Sequence, residues 1–178
     1  MDRPPALDGF ADQRPLEHAA TVAVAVVVFW IGYFGAVAVG YGDVSVLASE
    51  TNVSAQRVGG MAGSILVWTY FGLAFVRGSG GPLLNAVVYP LAIVALAPFV
   101  GRWALFGIDT GAVVSRFVGV FVLEPLVTLA IAVVPGIGAF VTLLAIWGAS
   151  IDDDERRAWE DRHLSAAFYE AFVAQDRE

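Results

Sequence analysis

The chain has no cysteine and no lysine, and it carries only two histidines and two methionines. Without cysteine there are no disulfides, thiolate metal sites or cysteine nucleophiles. Without lysine there can be no Walker-type phosphate loop, whose lysine reaches the nucleotide phosphates. His18 and His163 lie in polar flanks far apart in sequence, with no metal-ligand spacing, and suit surface structural roles. The chain also lacks G-x-S-x-G, H-E-x-x-H and the dinucleotide glycine fingerprint. These absences lead to the expectation of a non-catalytic protein with no cofactor and no bound metal.

Charge is scarce and uneven. Charged residues are 15% of the chain, against about a quarter in soluble domains, while hydrophobic residues reach 58%. There are 17 acids against 10 bases, and every base is Arg. That balance argues against nucleic acid, since phosphate contacts need clustered Lys or Arg. An acidic, lysine-free composition resembles that of extreme halophiles, archaea above all. In molar salt, screening removes the self-repulsion that such excess charge would otherwise bring. An acidic tail encoded by a GC-rich genome is the plainer alternative.

What the chain does have is long uncharged runs. The longest, residues 117 to 151, contains Glu124 as its only charge. At about 1.5 Å per residue, 35 helical residues would reach about 52 Å, well past a hydrocarbon core of about 30 Å. Pro135-Gly136-Ile137-Gly138 offers a break, because proline removes a backbone donor and glycines permit turn dihedrals. The pattern predicts a hairpin with a full arm over 111–134 and a short arm over 139–151, the latter either spanning or re-entrant. Three further spans are expected at 19–42, 58–76 and 82–101. The resulting fold class is an all-α, polytopic integral membrane bundle of four to five transmembrane helices, in the lipid bilayer of the cell membrane.

Residues 1–18, with Pro4, Pro5 and Pro15 among four acids and two Arg, are expected to form a disordered polar arm. Ala36-Val37-Ala38 resembles a signal-peptidase site, but the arm before it is acidic and the apolar run exceeds a signal core, so a membrane span is the better reading. Residues 43–57 form the longest polar connection and contain the sequon Asn52-Val53-Ser54, a candidate glycosylation site. Gly59 and Gly63 fall on one helix face, where they could admit a neighbouring helix or simply crowd a helix entrance. Pro90 and Pro98 predict a kink and a ragged exit near Arg102 and Trp103, with Arg102 an interface anchor whose stem snorkels.

The tail, residues 152–178, holds nine acids and four Arg. Asp152 with Arg156 and Asp153 with Arg157 are spaced as i,i+4 ion pairs. Leu164, Ala167, Phe168, Ala171 and Phe172 follow helical spacing. An amphipathic cytoplasmic helix is expected, with Leu164, Phe168 and Phe172 as a partner-docking stripe; a solvated helix stabilised by its own charges is the alternative. Arginine counts place the tail inside whether four or five spans are assumed, and only four spans put Asn52 outside.

Glu124 is the most pointed residue, since an ionisable group within a membrane segment is costly and is a functional candidate by default. Thr128 lies four residues on, and Asn85 with Tyr89 gives the third span a polar face that could meet Glu124. Alternatively, Glu124 sits in the headgroup layer. Two functions follow: an assembly or accessory subunit that docks another membrane or cytoplasmic protein or self-associates, and a small oligomeric transporter or channel subunit using Glu124, Asn85, Tyr89 and Thr128.

Overall fold

A computed structural model describes residues 15–49, 51–79, 81, 83–107, 115, 118, 119, 122 and 125–173. These residues are all-α, and four of their helices are long and apolar enough to cross a membrane. The first, α1 (Pro15–Tyr41), begins with proline at a position whose missing N–H costs nothing. Four residues expected in the polar arm, Pro15 to His18, are therefore helical. The helix ends where Gly42 takes a left-handed φ of 78° and donates to the Ala38 carbonyl.

The polar connection that follows is folded. Asp43 caps a 3-10 turn, Val44–Ala48, and this turn buries Leu47 completely. The next helix, α2 (Val53–Val76), starts earlier than expected because Asn52 caps it, its side chain accepting from the Ala55 amide at 3.2 Å. The sequon asparagine is thus a structural cap. At the other end Gly78 and Ser79 donate to the carbonyls of Phe75 and Ala74, a Schellman closure.

The third helix, α3 (Leu84–Phe106), opens with a π turn over Leu84–Val88 and passes Pro98 without interruption. It ends cleanly at Gly107 rather than fraying near Arg102, since Gly107 is left-handed and donates to the Trp103 carbonyl. Arg102 does not snorkel: it is buried, and its Nε donates to the Leu47 carbonyl at 2.7 Å, tying α3 to the 3-10 turn.

The fourth helix, α4, corrects the expected hairpin. From Pro125 onward it is α-helix over Pro125–Thr128, a π turn over Leu129–Val133 and α-helix again over Val134–Ser150. The chain does not turn at Pro135–Gly138. The π turn just before Pro135 makes room for the ring that would clash with a normal preceding turn. Gly136 is a packing notch, where an added Cβ would collide with the Trp68 ring and the Ser64 hydroxyl. The short arm expected over 139–151 is therefore part of one candidate span, Leu129–Ser150, with no break at 135–138; most of the first part of the arm expected over 111–134 lies outside the described residues.

Helix α2 is the centre of the bundle, in contact with α1, α3 and α4. Phe29 and Tyr33 of α1 seat on Gly63 and Gly59, where an added Cβ would lie 2.7 and 2.9 Å from their rings. Trp30 donates to the Ala97 carbonyl at 2.8 Å and covers Gly101 of α3. The pairings Ser64 with Ala132, Trp68 with Gly136 and Gly72 with Leu143 rise together, so α2 and α4 run parallel. Phe29 with Gly63 and Tyr33 with Gly59 run oppositely, so α1 and α2 are antiparallel. Both ends of the described chain, Pro15 and the tail, therefore lie at one end of the bundle.

The tail forms two helices instead of one: α5 (Asp153–His163) and α6 (Ala166–Phe172), separated at Leu164 and Ser165. Ser165 caps α6 by accepting from the Phe168 amide. This break removes Leu164 from any helical stripe with Phe168, and the Phe172 side chain lies outside the described part. The ion pairs also shift. Asp152 is spent as the α5 cap, and the contacts are Asp153 with Arg156 at 3.9 Å and Asp154 with Arg157 at 3.7 Å. At such exposure they add little stability.

Candidate functional site

The polar side chains of the apolar helices gather where α3 starts. Two π turns face α2 there, and each is followed two residues later by a proline, Pro90 or Pro135. In an α-helix residue 90 would donate to the Ala86 carbonyl, and proline has no N–H to give. The Trp68 indole supplies the donor instead, at 2.9 Å. One turn earlier on the same face of α2, the Ser64 hydroxyl donates to the Ala132 carbonyl in the other π turn. Ser64 and Trp68 are both fully buried. Each ties α2 to a carbonyl within a π turn of a neighbouring helix.

Asn85 lies within the first π turn and is fully buried. Its Nδ2 donates to the Ser79 carbonyl at 2.5 Å, and its backbone amide to the Gly81 carbonyl at 2.9 Å. Asn85 therefore draws the α2–α3 connection into the bundle. Its Oδ1 is buried with no hydrogen-bond partner among the described residues. One turn on, Tyr89 stacks on Phe71 with ring centroids 5.7 Å apart, and its hydroxyl bonds Nε2 of His18. The rings of His18 and Tyr89 meet edge-on at 5.1 Å. His18 is thus a strut between α1 and α3 and not a loose surface residue.

No protein-family model, curated protein or solved structure matches the chain.

Of the four residues expected to form one polar site, the described side chains are those of Asn85 and Tyr89. Asn85 and Tyr89 share one face of α3, but Tyr89 is engaged by His18. Glu124 lies outside the described residues, as does the Thr128 side chain, although the Thr128 backbone belongs to α4. Trp68 touches both Ala86 and Gly136, so Asn85 sits near the depth of Gly136. Thr128 is eight residues further along α4, a separation of about 12 Å. No described group of three or more His, Asp or Glu could hold a metal ion.

A second cluster fixes the tail. The Trp159 indole donates to the Val76 carbonyl at 2.6 Å, an otherwise open acceptor in the last turn of α2. Its ring stacks on Phe75 at 5.4 Å and meets Trp147 of α4 edge-on at 5.1 Å. His163 lies against Trp159 at 5.3 Å and directly over Gly78. Burial, and then the neighbouring Arg162, hold its pKa below the usual histidine value. At the other end of the bundle, hydrogen bonds from the Ser45 hydroxyl and amide lower the pKa of Asp43.

The sequence reading missed Trp159, Trp68, Ser64 and the His18 strut. Trp159 had a visible signal, as the one large apolar side chain among the charges of 152–163. Ser64 and Trp68 stand i,i+4, a spacing that reads equally well as ordinary core.

Proposed function

We propose that the chain is a multi-pass integral membrane protein acting as a non-catalytic assembly or accessory subunit, with its tail in the cytoplasm. Insertion is supported by the outward faces of the helices. Val24, Val27, Ile31 and Val39 of α1, Leu96 and Val100 of α3, and Val134, Val141 and Ile146 of α4 are all exposed. Soluble proteins rarely expose a contiguous apolar patch beyond a few hundred Å², so a bundle apolar on this scale belongs in hydrocarbon. Four spans put Arg3, Arg14, Arg77, Arg156, Arg157 and Arg162 on the tail side and Arg57, Arg102 and Arg116 on the other. That asymmetry favours the tail inside. The acidic, lysine-free composition supports a halophilic, archaeal cell membrane.

One observation carries the assembly reading: α4 is the least buried of the four candidate spans among the described residues. Only 11% of its span is buried, against 28% to 44% for the other three. It is therefore the helix with most surface to offer a partner in the bilayer. The tail adds a second face on the cytoplasmic side. Its Trp159 turns into the bundle, so its outward surface is the charged side of α5, with α6 beside it.

The test is affinity purification of the tagged full chain from its native membrane in high salt, beside a form lacking residues 152–178. A stoichiometric partner that disappears on deletion is the expected result. A homogeneous self-oligomer with no partner would overturn the reading. The buried Asn85 Oδ1, without a partner among the described residues and inside a π turn, favours the transporter or channel as second reading, because π turns recur at functional sites. On that reading Glu124→Gln abolishes transport; on the first it is silent.

A further inference from the structure

We infer that α5 is a pH-released latch, seated on the end of α2 through Trp159 and His163 while His163 is neutral, and lifted off when it is protonated. The seat is specific. Trp159 fills the end of α2 with one hydrogen bond to Val76 and ring contacts to Phe75 and Trp147. The His163 ring lies where a Cβ on Gly78 would be, so only glycine leaves it room. Gly78 is itself fixed, by its left-handed φ of 69° and its bond to the Phe75 carbonyl.

The charged residues nearest the ring in sequence are Glu160, Asp161 and Arg162 on α5 and Arg77 beside Gly78, with Arg157 and the acids of the first turn further back on α5. Burial opposes its protonation most, and the Arg162 charge opposes it next. The seated ring therefore binds a proton less readily than the released one, whose ordinary value is 6.5. Seating is fully favoured above that value and weakens as pH falls below it. The released population should grow about tenfold for each pH unit between the free and seated values. The latch does not depend on the assembly reading; only its use in exposing the tail to a partner does.

The chain has no native cysteine, so two introduced thiols can be labelled cleanly. Spin labels at Asp161→Cys and Leu83→Cys, in the full chain in lipid nanodiscs, report the distance from α5 to the start of α3. At about pH 7.5 one narrow distribution is expected, and at about pH 5 a second, longer one. His163→Gln and His163→Phe should each abolish the pH response. An unchanged distribution at the two pH values would overturn the latch. So would a pH response that persists in either variant, because the proton would then be acting elsewhere. Loss of the tail's partner with the pH response intact would bear on the assembly reading alone.

Discussion

Trp68→Phe should destabilise the bundle mainly through a carbonyl that the substitution never touches. Trp68 donates to the Ala86 carbonyl, the oxygen that residue 90 would pair in a regular α-helix were it not proline. Removing the indole N–H leaves a buried acceptor unmet, at a cost of about 1–3 kcal/mol. The smaller ring adds a packing loss of similar size. The two contributions separate in a double-mutant cycle with Pro90→Ala, which returns a backbone N–H one turn after Ala86. If the indole stands in for the missing amide, the double variant should be about 0.5–2 kcal/mol more stable than the sum of the single changes. The assay is equilibrium unfolding of the full chain in mixed detergent micelles, followed by circular dichroism. Additivity within about 0.5 kcal/mol would refute the substitution of indole for amide. Trp68 would then matter for its volume alone.

Gly136→Leu and Gly138→Leu should part company. The first drives a side chain into Trp68 and Ser64 and should cost at least about 1–3 kcal/mol, whereas the second meets nothing within 4 Å and should be near neutral in the same unfolding assay. Equal damage at both would restore the turn expected at Pro135–Gly138. Arg102→Met should cost about 2 kcal/mol or more by removing a charged donor to Leu47, and should speed amide exchange across residues 43–49. Unchanged exchange there would mean that Arg102 does not hold the 3-10 turn. Asp152→Ala should cost α5 about 1 kcal/mol by deleting its cap, read as faster exchange of the Glu155 amide, with the spans unaffected.

The long apolar helices were legible because uncharged runs of about 20 residues leave a strong mark in a sequence. Their ends were not, because each is set by a local device the run itself does not contain: Pro15 at the start of α1, Asn52 capping α2, Gly107 closing α3. The largest error, the hairpin at Pro135–Gly138, has a single physical source. Proline and glycine break a helix only when the backbone groups they disturb have no other partner, and when the missing side chains leave a gap. Here the neighbouring groups are on α2. Ser64 reaches the π turn ahead of Pro135, and the Trp68 ring fills the notch at Gly136. Gly138, two residues on, faces open space, so two identical letters in one motif have opposite roles. Nothing in residues 135–138 can distinguish them, because the information sits seventy residues upstream. The same holds for the candidate site. Asn85 and Tyr89 were visible as a polar face of α3, but what that face meets is decided by the turn at Ser79 and by His18, a residue assigned to a disordered arm. The polar groups of this bundle are first committed to holding proline-disturbed helices together. Among the described residues, what is left over from these contacts is the Asn85 oxygen, with no partner among them, the exposed face of α4, and the tail held by Trp159.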